Sequence, residues 1–356
     1  MKKELSSVDL RILCRELNDI LSGMKVDKAY QVGKRDFVLK FFGRGSVEVV
    51  VAANFMCATK YKRPAPKTPS SFAMQLRKNL GGAAVMSVSQ HGFERIVEVE
   101  FQSNILVIEL FSKGNVILCD RDYKIIGLLD WQKWRDRVLG VGKTYSYPPA
   151  VVNPYTLDLN SFTKIFSDSK KPAAATLATR LSLGGFYAEK ICEDAEVDGG
   201  EMPDAESIKL LWKSLEVLLK KVDGKIEACI LGDNISPFGG SEHVYTSFND
   251  AVDEYFSSKQ ALDANDALAV EVQEKKNKYE DIYGKQVIAL EDAKKTVVDR
   301  SNAGDLIYQN MTELNEVWEY VRAARKQGLT ESEINVGLKK WDFVVGLEGF
   351  ELTVEL

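Results

Sequence analysis

The chain has 356 residues, 45% of them apolar, enough for two or three domains with real cores. Its formal net charge of −5 excludes a uniformly basic coat, so any polyanion-binding surface must be a local patch offset by acid elsewhere, as in ICEDAEVDGGEMPDAES and around 271–292. Five scattered cysteines without a C-x-x-C pair argue against a disulfide framework or a cysteine zinc site, and MKKELSSVDL lacks the apolar stretch of a signal sequence; a cytoplasmic protein with no membrane span is expected.

In chain order, the first element is a helix over 6–24. Ser6 is its N-cap, Asp9 closes a capping box, and Leu5 and Leu10 take the two hydrophobic-staple positions. Leu10, Leu13, Leu17, Ile20, Leu21 and Met24 recur at helical spacing and predict one buried stripe. From about 26 to 130 the pattern changes to strand runs: KAYQVG, DFVLKFF, VEVVVAA, AAVMSVSQ, RIVEVEF, NILVIELF and GNVILCD, separated by turn pieces such as GRGS and SKGN. One helix, SSFAMQLRKNLGG, interrupts them between serines and glycines. So many short strands predict an antiparallel sandwich or partly closed barrel in an α+β chain, not a βαβ array.

After YSYPPAVVNP the strands stop. Residues 160–222 read as short helices with a turn at LSLGG and an acidic loop near 194–204; SFNDAVDEYF is a further short helix. From about 257 to 328 the chain is helical and highly charged. Ile307, Met311, Leu314, Trp318 and Val321 step by 4, 3, 4, 3, the seam of a coiled coil. A seam on a lone helix stays wet, which predicts self-association or a poorly ordered arm. The tail KKWDFVVGLEGFELTVEL returns to strand character.

Several polar clusters are candidates for binding. In SQHGFERIVEVEF, Glu94 and Arg95 stand side by side where a turn enters a strand, either as a solvated strand end or as a recognition corner; strand alternation sends neighbours to opposite faces. KYKRPAPK sets Lys60, Lys62, Arg63 and Lys67 around Tyr61, with prolines holding it extended, so it is either a solvated loop or a track for phosphates. Arg77 and Lys78 on the following helix extend that patch, and Arg135, Asp136 and Arg137 in WRDRVLGVG have similar standing. In LSLGGFYAEKIC, Gly184 and Gly185 precede a helix whose first N–H groups suit a phosphate, or they simply cap and turn. His91 and His243 lack ligand companions, and neither a G-x-S-x-G nor a P-loop is present, since GKT at 142–144 has no upstream glycine at the right spacing. No metal or cofactor is expected.

SSVDLRILCREL, PSSFAMQLRKNL, QHGFERIVEVEF, GNVILCD, VGKTYSYPP, LSLGGFYAEKICEDAEVD, YTSFNDAVDEYF and DLIYQNMTELNEVWEYVRAA together resemble the NFACT family, in the family's order and over nearly the whole chain. The resemblance implies an N-terminal β domain (1–160) similar in fold to formamidopyrimidine-type DNA glycosylases. A helix–hairpin–helix domain (161–245), one coiled-coil arm (246–328) and a segment of the middle domain (329–356) would follow. It implies a ribosome-associated quality-control factor that binds tRNA, expected to be alanine tRNA, and a large ribosomal subunit holding peptidyl-tRNA, so that the stalled peptide gains an alanine-rich tail. Bond formation would then belong to the ribosome, not to this chain. Asp9 matches the family's N-terminal aspartate, and Glu94-Arg95 stands where members usually carry Asp-Arg. The return arm of the coil and the C-terminal RNA-binding domain of full-length members are not in the chain. Gly185, Tyr187, Ala188 and Ile191 also match a glycosylase helix–turn–helix pattern, and the alternative function is a glycosylase-like repair protein. Against it, the N-terminal proline nucleophile and the four-cysteine finger of those enzymes are missing. A cell-surface adhesin, suggested by an old family label, lacks a signal sequence and an anchor.

Overall fold

The computed structural model describes residues 2–134, 137–232, 234–239 and 244–356, with backbone alone at 259–269 and 271. Chain contacts divide it into two units, Met1–Ala269 and Val270–Leu356. The first opens with α1 (Ser7–Leu21), whose capping box forms as expected: the Ser6 side chain accepts from Asp9 N–H, and the Asp9 carboxylate accepts from Ser6 N–H at 2.7 Å. Four antiparallel strands follow, β1 (Lys25–Gln31), β2 (Phe37–Phe42), β3 (Ser46–Val51) and β4 (Met56–Thr59), in that spatial order. After α2 (Ser71–Leu80) comes a five-stranded antiparallel meander: β5 (Val85–Gln90), β6 (Ile96–Phe101), β7 (Asn104–Glu109), β8 (Asn115–Asp120) and β9 (Ile125–Leu128). A small hairpin, β10 (Gln132–Lys133) and β11 (Val138–Leu139), completes the strand-rich part. This is a mixed α/β architecture with antiparallel sheets.

The two sheets are stitched at one corner. Gly23 N–H donates to Val85 O, Val85 N–H to Met24 O, and Val26 N–H to Ala83 O. Between the sheets and α1 lies a core that includes Leu10, Leu13, Leu17, Phe41, Val50, Leu76, Val97 and Leu106. Every residue of β7 is buried because the meander is covered on both faces; Ile96, Ile105, Val107 and Ile117 form a second cluster with Leu139 and Tyr145.

Next come α3 (Leu159–Ser167), α4 (Ala173–Arg180), α5 (Gly184–Asp194) and α6 (Ala205–Asp223). Then a hairpin, β12 (Cys229–Leu231) and β13 (Asn234–Ser236), leads to α7 (Phe248–Val252). The first core continues without a break into Phe162, Leu177, Tyr187, Ile191, Leu211 and Phe248, so the strand-rich and helical regions pack as one body. A π-helical segment, Asp253–Ser257, opens α8 (Ser258–Gln309).

In the second unit a turn at Asn310 separates α8 from α9 (Met311–Lys326); α10 (Glu331–Leu338) and the hairpin β14 (Val344–Glu348) and β15 (Glu351–Val354) follow. The far end of the predicted seam is covered: Val321 packs with Val317, Ile334, Leu338 and Leu347, while Ile307 and Met311 remain 46% and 44% exposed. The helix α10 within QGLTESEINVGL was not anticipated, although Thr330 and Glu333 make the same reciprocal cap as Ser6 and Asp9. Among the described residues no helix is long and apolar enough to cross a membrane.

Candidate nucleic-acid interface

The residues before α1 run along a cleft of about 620 Å³ in the first unit. Its walls are Lys2, Lys3 and Glu4 on one side, Arg95 at the β5–β6 turn, Ser182 in the α4–α5 turn, and Gly184 and Gly185 at the start of α5. Two sequence candidates distant in the chain, Arg95 and the Gly184–Gly185 pair, thus share one concavity. The approach is close: a methyl group on Gly184 would sit 3.3 Å from the Ser6 side chain, and Gly184 has φ +77°, which a side chain resists. The α5 start has no side-chain cap, so its first backbone N–H groups point out of the helix uncapped.

Asp9 does not line this cleft. Its carboxylate is fully buried and accepts from Lys2 Nζ at 2.7 Å, from Tyr187 Oη at 2.6 Å and from the Ser6 hydroxyl at 2.7 Å. Helix capping turns the Asp9 side chain inward, away from solvent and from any ligand in the cleft. The side chain of its partner Lys2 is 7% exposed, and its ammonium lies 5.1 Å from the Phe186 ring centre and 4.9 Å from that of Tyr187. Burial and the Asp9 carboxylate push the Tyr187 hydroxyl well above its usual pKa. Leu5 N–H donates to Asn54 O and Tyr255 Oη to Lys2 O, which pins the strand of chain entering α1.

Glu94 and Arg95 part company. Glu94 is 8% exposed and accepts from Val151 N–H at 3.4 Å; desolvation raises its pKa, partly offset by that hydrogen bond. Arg95 is ion-paired with the exposed Glu4 at 2.6 Å. Of the two, only the arginine lines the cleft, as strand alternation sends neighbours to opposite faces.

The other candidates lie elsewhere. Arg137, expected at a phosphate, is 8% exposed and clamps Glu109 at 2.7 and 3.2 Å, a buried pair that closes the second core. Arg135 and His243 lie outside the described residues. Lys60 pairs with Glu254 at 3.0 Å, and the half-buried Arg63 donates to Ser257 at 2.8 Å, its pKa lowered by desolvation; these residues tie β4 to the π-helical segment. Lys62 lines a separate small recess with Arg63 and Tyr30. Arg77 donates to Ala29 O and stacks over Tyr30, while Lys78 is exposed. Sequence reasoning missed Lys2, Lys3 and Asn234 at the cleft; the KK pair before the capping serine was the available signal, and Asn234 had none. Among the described residues no cluster of His, Cys, Asp and Glu could hold a metal.

A family model described as NFACT N-terminal and middle domains matches residues 6–340. The chain belongs to that family. Among curated NFACT relatives, the archaeal Rqc2 homolog aRqcH of Methanocaldococcus jannaschii is 30% identical over 92% of this chain and 53% of its own length. The human ribosome quality control complex subunit NEMF is 25% identical over 96% of this chain and 36% of its own. The chain thus spans about half the archaeal relative and about a third of the human one. The N-terminal part of the fibronectin/fibrinogen-binding protein from Streptococcus suis superposes with a TM-score of 0.58 at 22% identity, covering 72% of this chain and all of that one, and shares its fold.

Proposed function

We propose that this chain is the tRNA-gripping portion of a ribosome quality-control factor. On this reading the cleft beside α1 takes an RNA phosphate: Arg95 offers a planar fork, Lys3 a mobile ammonium, and the α5 start its free N–H groups. The observation that carries the reading is the convergence of Arg95 with Gly184 and Gly185 on one cleft. Glu4 holds Arg95 until phosphate replaces it, and Asp9 fixes Lys2 and so the floor of the cleft. Asp9, Glu94, Lys60, Arg63 and Arg137 are then framework, while Lys62, Arg77 and Lys78 belong to a second, peripheral basic surface.

The wider assembly extends this reading. A large ribosomal subunit holding peptidyl-tRNA is the platform, charged tRNA (alanine tRNA by family resemblance) is the cargo, and the ribosome performs peptide-bond formation. The α4–turn–α5 segment acts as the helix–hairpin–helix, α8 as a coiled-coil arm that can self-associate, and the four-part division at 160, 245 and 328 describes the functional modules. Support for the ribosomal role comes from the names of the archaeal and human relatives.

Co-sedimentation tests the proposal. Large subunits carrying peptidyl-tRNA should pellet the chain, empty subunits should pellet less, and Arg95→Ala should reduce the difference. Equal pelleting by both subunit preparations, or strand nicking of duplex DNA with oxidised bases, would overturn it in favour of the repair reading.

A further inference from the structure

The turn that presents Arg95 runs from His91 to Arg95, between β5 and β6. Inside it, His91 N–H donates to Ile96 O at 3.0 Å and Glu94 N–H to His91 O at 3.1 Å. Those bonds close the turn on itself and leave its place beside α1 unfixed. Gln90, the last residue of β5, supplies that link. It is 8% exposed, and its side-chain amide donates to Ser7 O at 2.9 Å and to Glu94 O at 2.8 Å. Both neighbours are carbonyl oxygens, so the nitrogen end of the amide must face them, and both of its N–H groups are used.

Each acceptor belongs to one wall of the cleft. Ser7 opens α1, directly after the Lys2–Ser6 segment that lines it. Glu94 O is part of the peptide group that joins Glu94 to Arg95; because that group is planar, holding its oxygen orients the bond to the Arg95 Cα. From the other side, Leu110 N–H donates to Arg95 O at 2.8 Å, just past the end of β7. The Arg95 backbone is thus clamped in both directions, and only the Gln90 arm of the clamp reaches α1. The Arg95–Glu4 ion pair also links the turn to the segment before α1, but the Glu4 side chain is 52% exposed, so water weakens that tie. Gln90 makes its two bonds out of solvent, where they hold more firmly.

We propose that Gln90 is the positioning residue of the cleft: it holds the Arg95 turn at the distance from the start of α1 at which the guanidinium meets a phosphate. The inference rests on the reading of the cleft as a phosphate site and adds the side chain that sets its width. Gln90 touches no ligand; its effect on binding passes through Arg95.

Gln90→Met keeps an unbranched side chain and removes both donors; Gln90→Leu, which also lacks them, replaces it should the first variant not fold. Hydrogen exchange reads the positioning without RNA: the amides of His91 and Glu94 should exchange about tenfold faster than in the wild type. Gel shift with tRNA reads the consequence. Gln90→Met should bind about fivefold more weakly, whereas in an Arg95→Ala background the same change should alter affinity by less than about twofold. Asn18→Ala separates this from plain destabilisation. Asn18 joins α1 to β5 by accepting from Val88 N–H at 3.0 Å, a bond that does not involve the turn, so this variant should melt earlier yet bind tRNA as the wild type does. Unchanged exchange at His91 and Glu94, an equal loss from Gln90→Met with and without Arg95, or the same loss in Asn18→Ala would overturn the positioning role. If Arg95→Ala weakens binding and Gln90→Met does not, the positioning role fails while the cleft reading stands; if neither weakens it, both fail.

Discussion

Asp9 shows how one buried carboxylate can organise several neighbours at once. Its carboxylate caps α1, receives the Tyr187 hydroxyl and holds Lys2, all without exposure. Asp9→Ala removes the cap and strands a buried hydroxyl, so it should cost about 3 kcal/mol of stability, measured by urea unfolding. A stable variant with wild-type unfolding would show that the cluster is not coupled as drawn. Arg95 behaves oppositely, because its partner Glu4 is exposed and the pair contributes little to folding. Glu4→Gln should therefore raise tRNA affinity up to about fivefold by releasing the guanidinium, and unchanged affinity would refute the competition. Capping of α1 was readable from S-x-x-D, but the burial of Asp9 was not, since it depends on Tyr187 and Lys2 arriving from elsewhere in the chain. Arg137 misled for the same reason: an arginine in a basic loop looks solvated until Glu109, on another strand, meets it.

At the scale of elements, local patterning carried furthest where one face is buried. The β-strand runs and α2 emerged with their serine and glycine boundaries, because alternation and capping are local signals. The helical seam was half legible. Its 3.5-residue spacing identified an apolar stripe, yet α10 and the β14–β15 hairpin cover part of it, and α10 is only eight residues long. Gly337 permits that cover: a methyl group there would fall 1.7 Å from the Tyr320 hydroxyl. Gly337→Ala should displace Tyr320 and destabilise the second unit by about 1–3 kcal/mol. Hydrogen exchange should show faster opening confined to 311–356, and uniform protection would contradict this packing.

For the whole molecule, buried tyrosines set an alkaline limit. Burial, with carboxylates nearby, raises the pKa of Tyr187, Tyr145 and Tyr147 above the ordinary 10.0, and that of Tyr155 to about 12. The unfolded chain releases these protons near pH 10 while the folded one keeps them, so the native state binds more protons there and stability falls as pH rises. This contribution is complete below pH 10. Melting temperature should drop steeply above that pH, and Tyr187→Phe should soften the drop; a flat profile would deny that these hydroxyls are enclosed.

The most direct measurement of the central claim is tRNA affinity by gel shift over a salt series, for the wild type and for Arg95→Ala of matched melting temperature. Loss of one phosphate contact should weaken binding by about 1–3 kcal/mol and make the slope of log K against log salt shallower by about 1. An Arg95→Ala protein that binds tRNA with the wild-type affinity and slope would show that RNA does not enter this cleft.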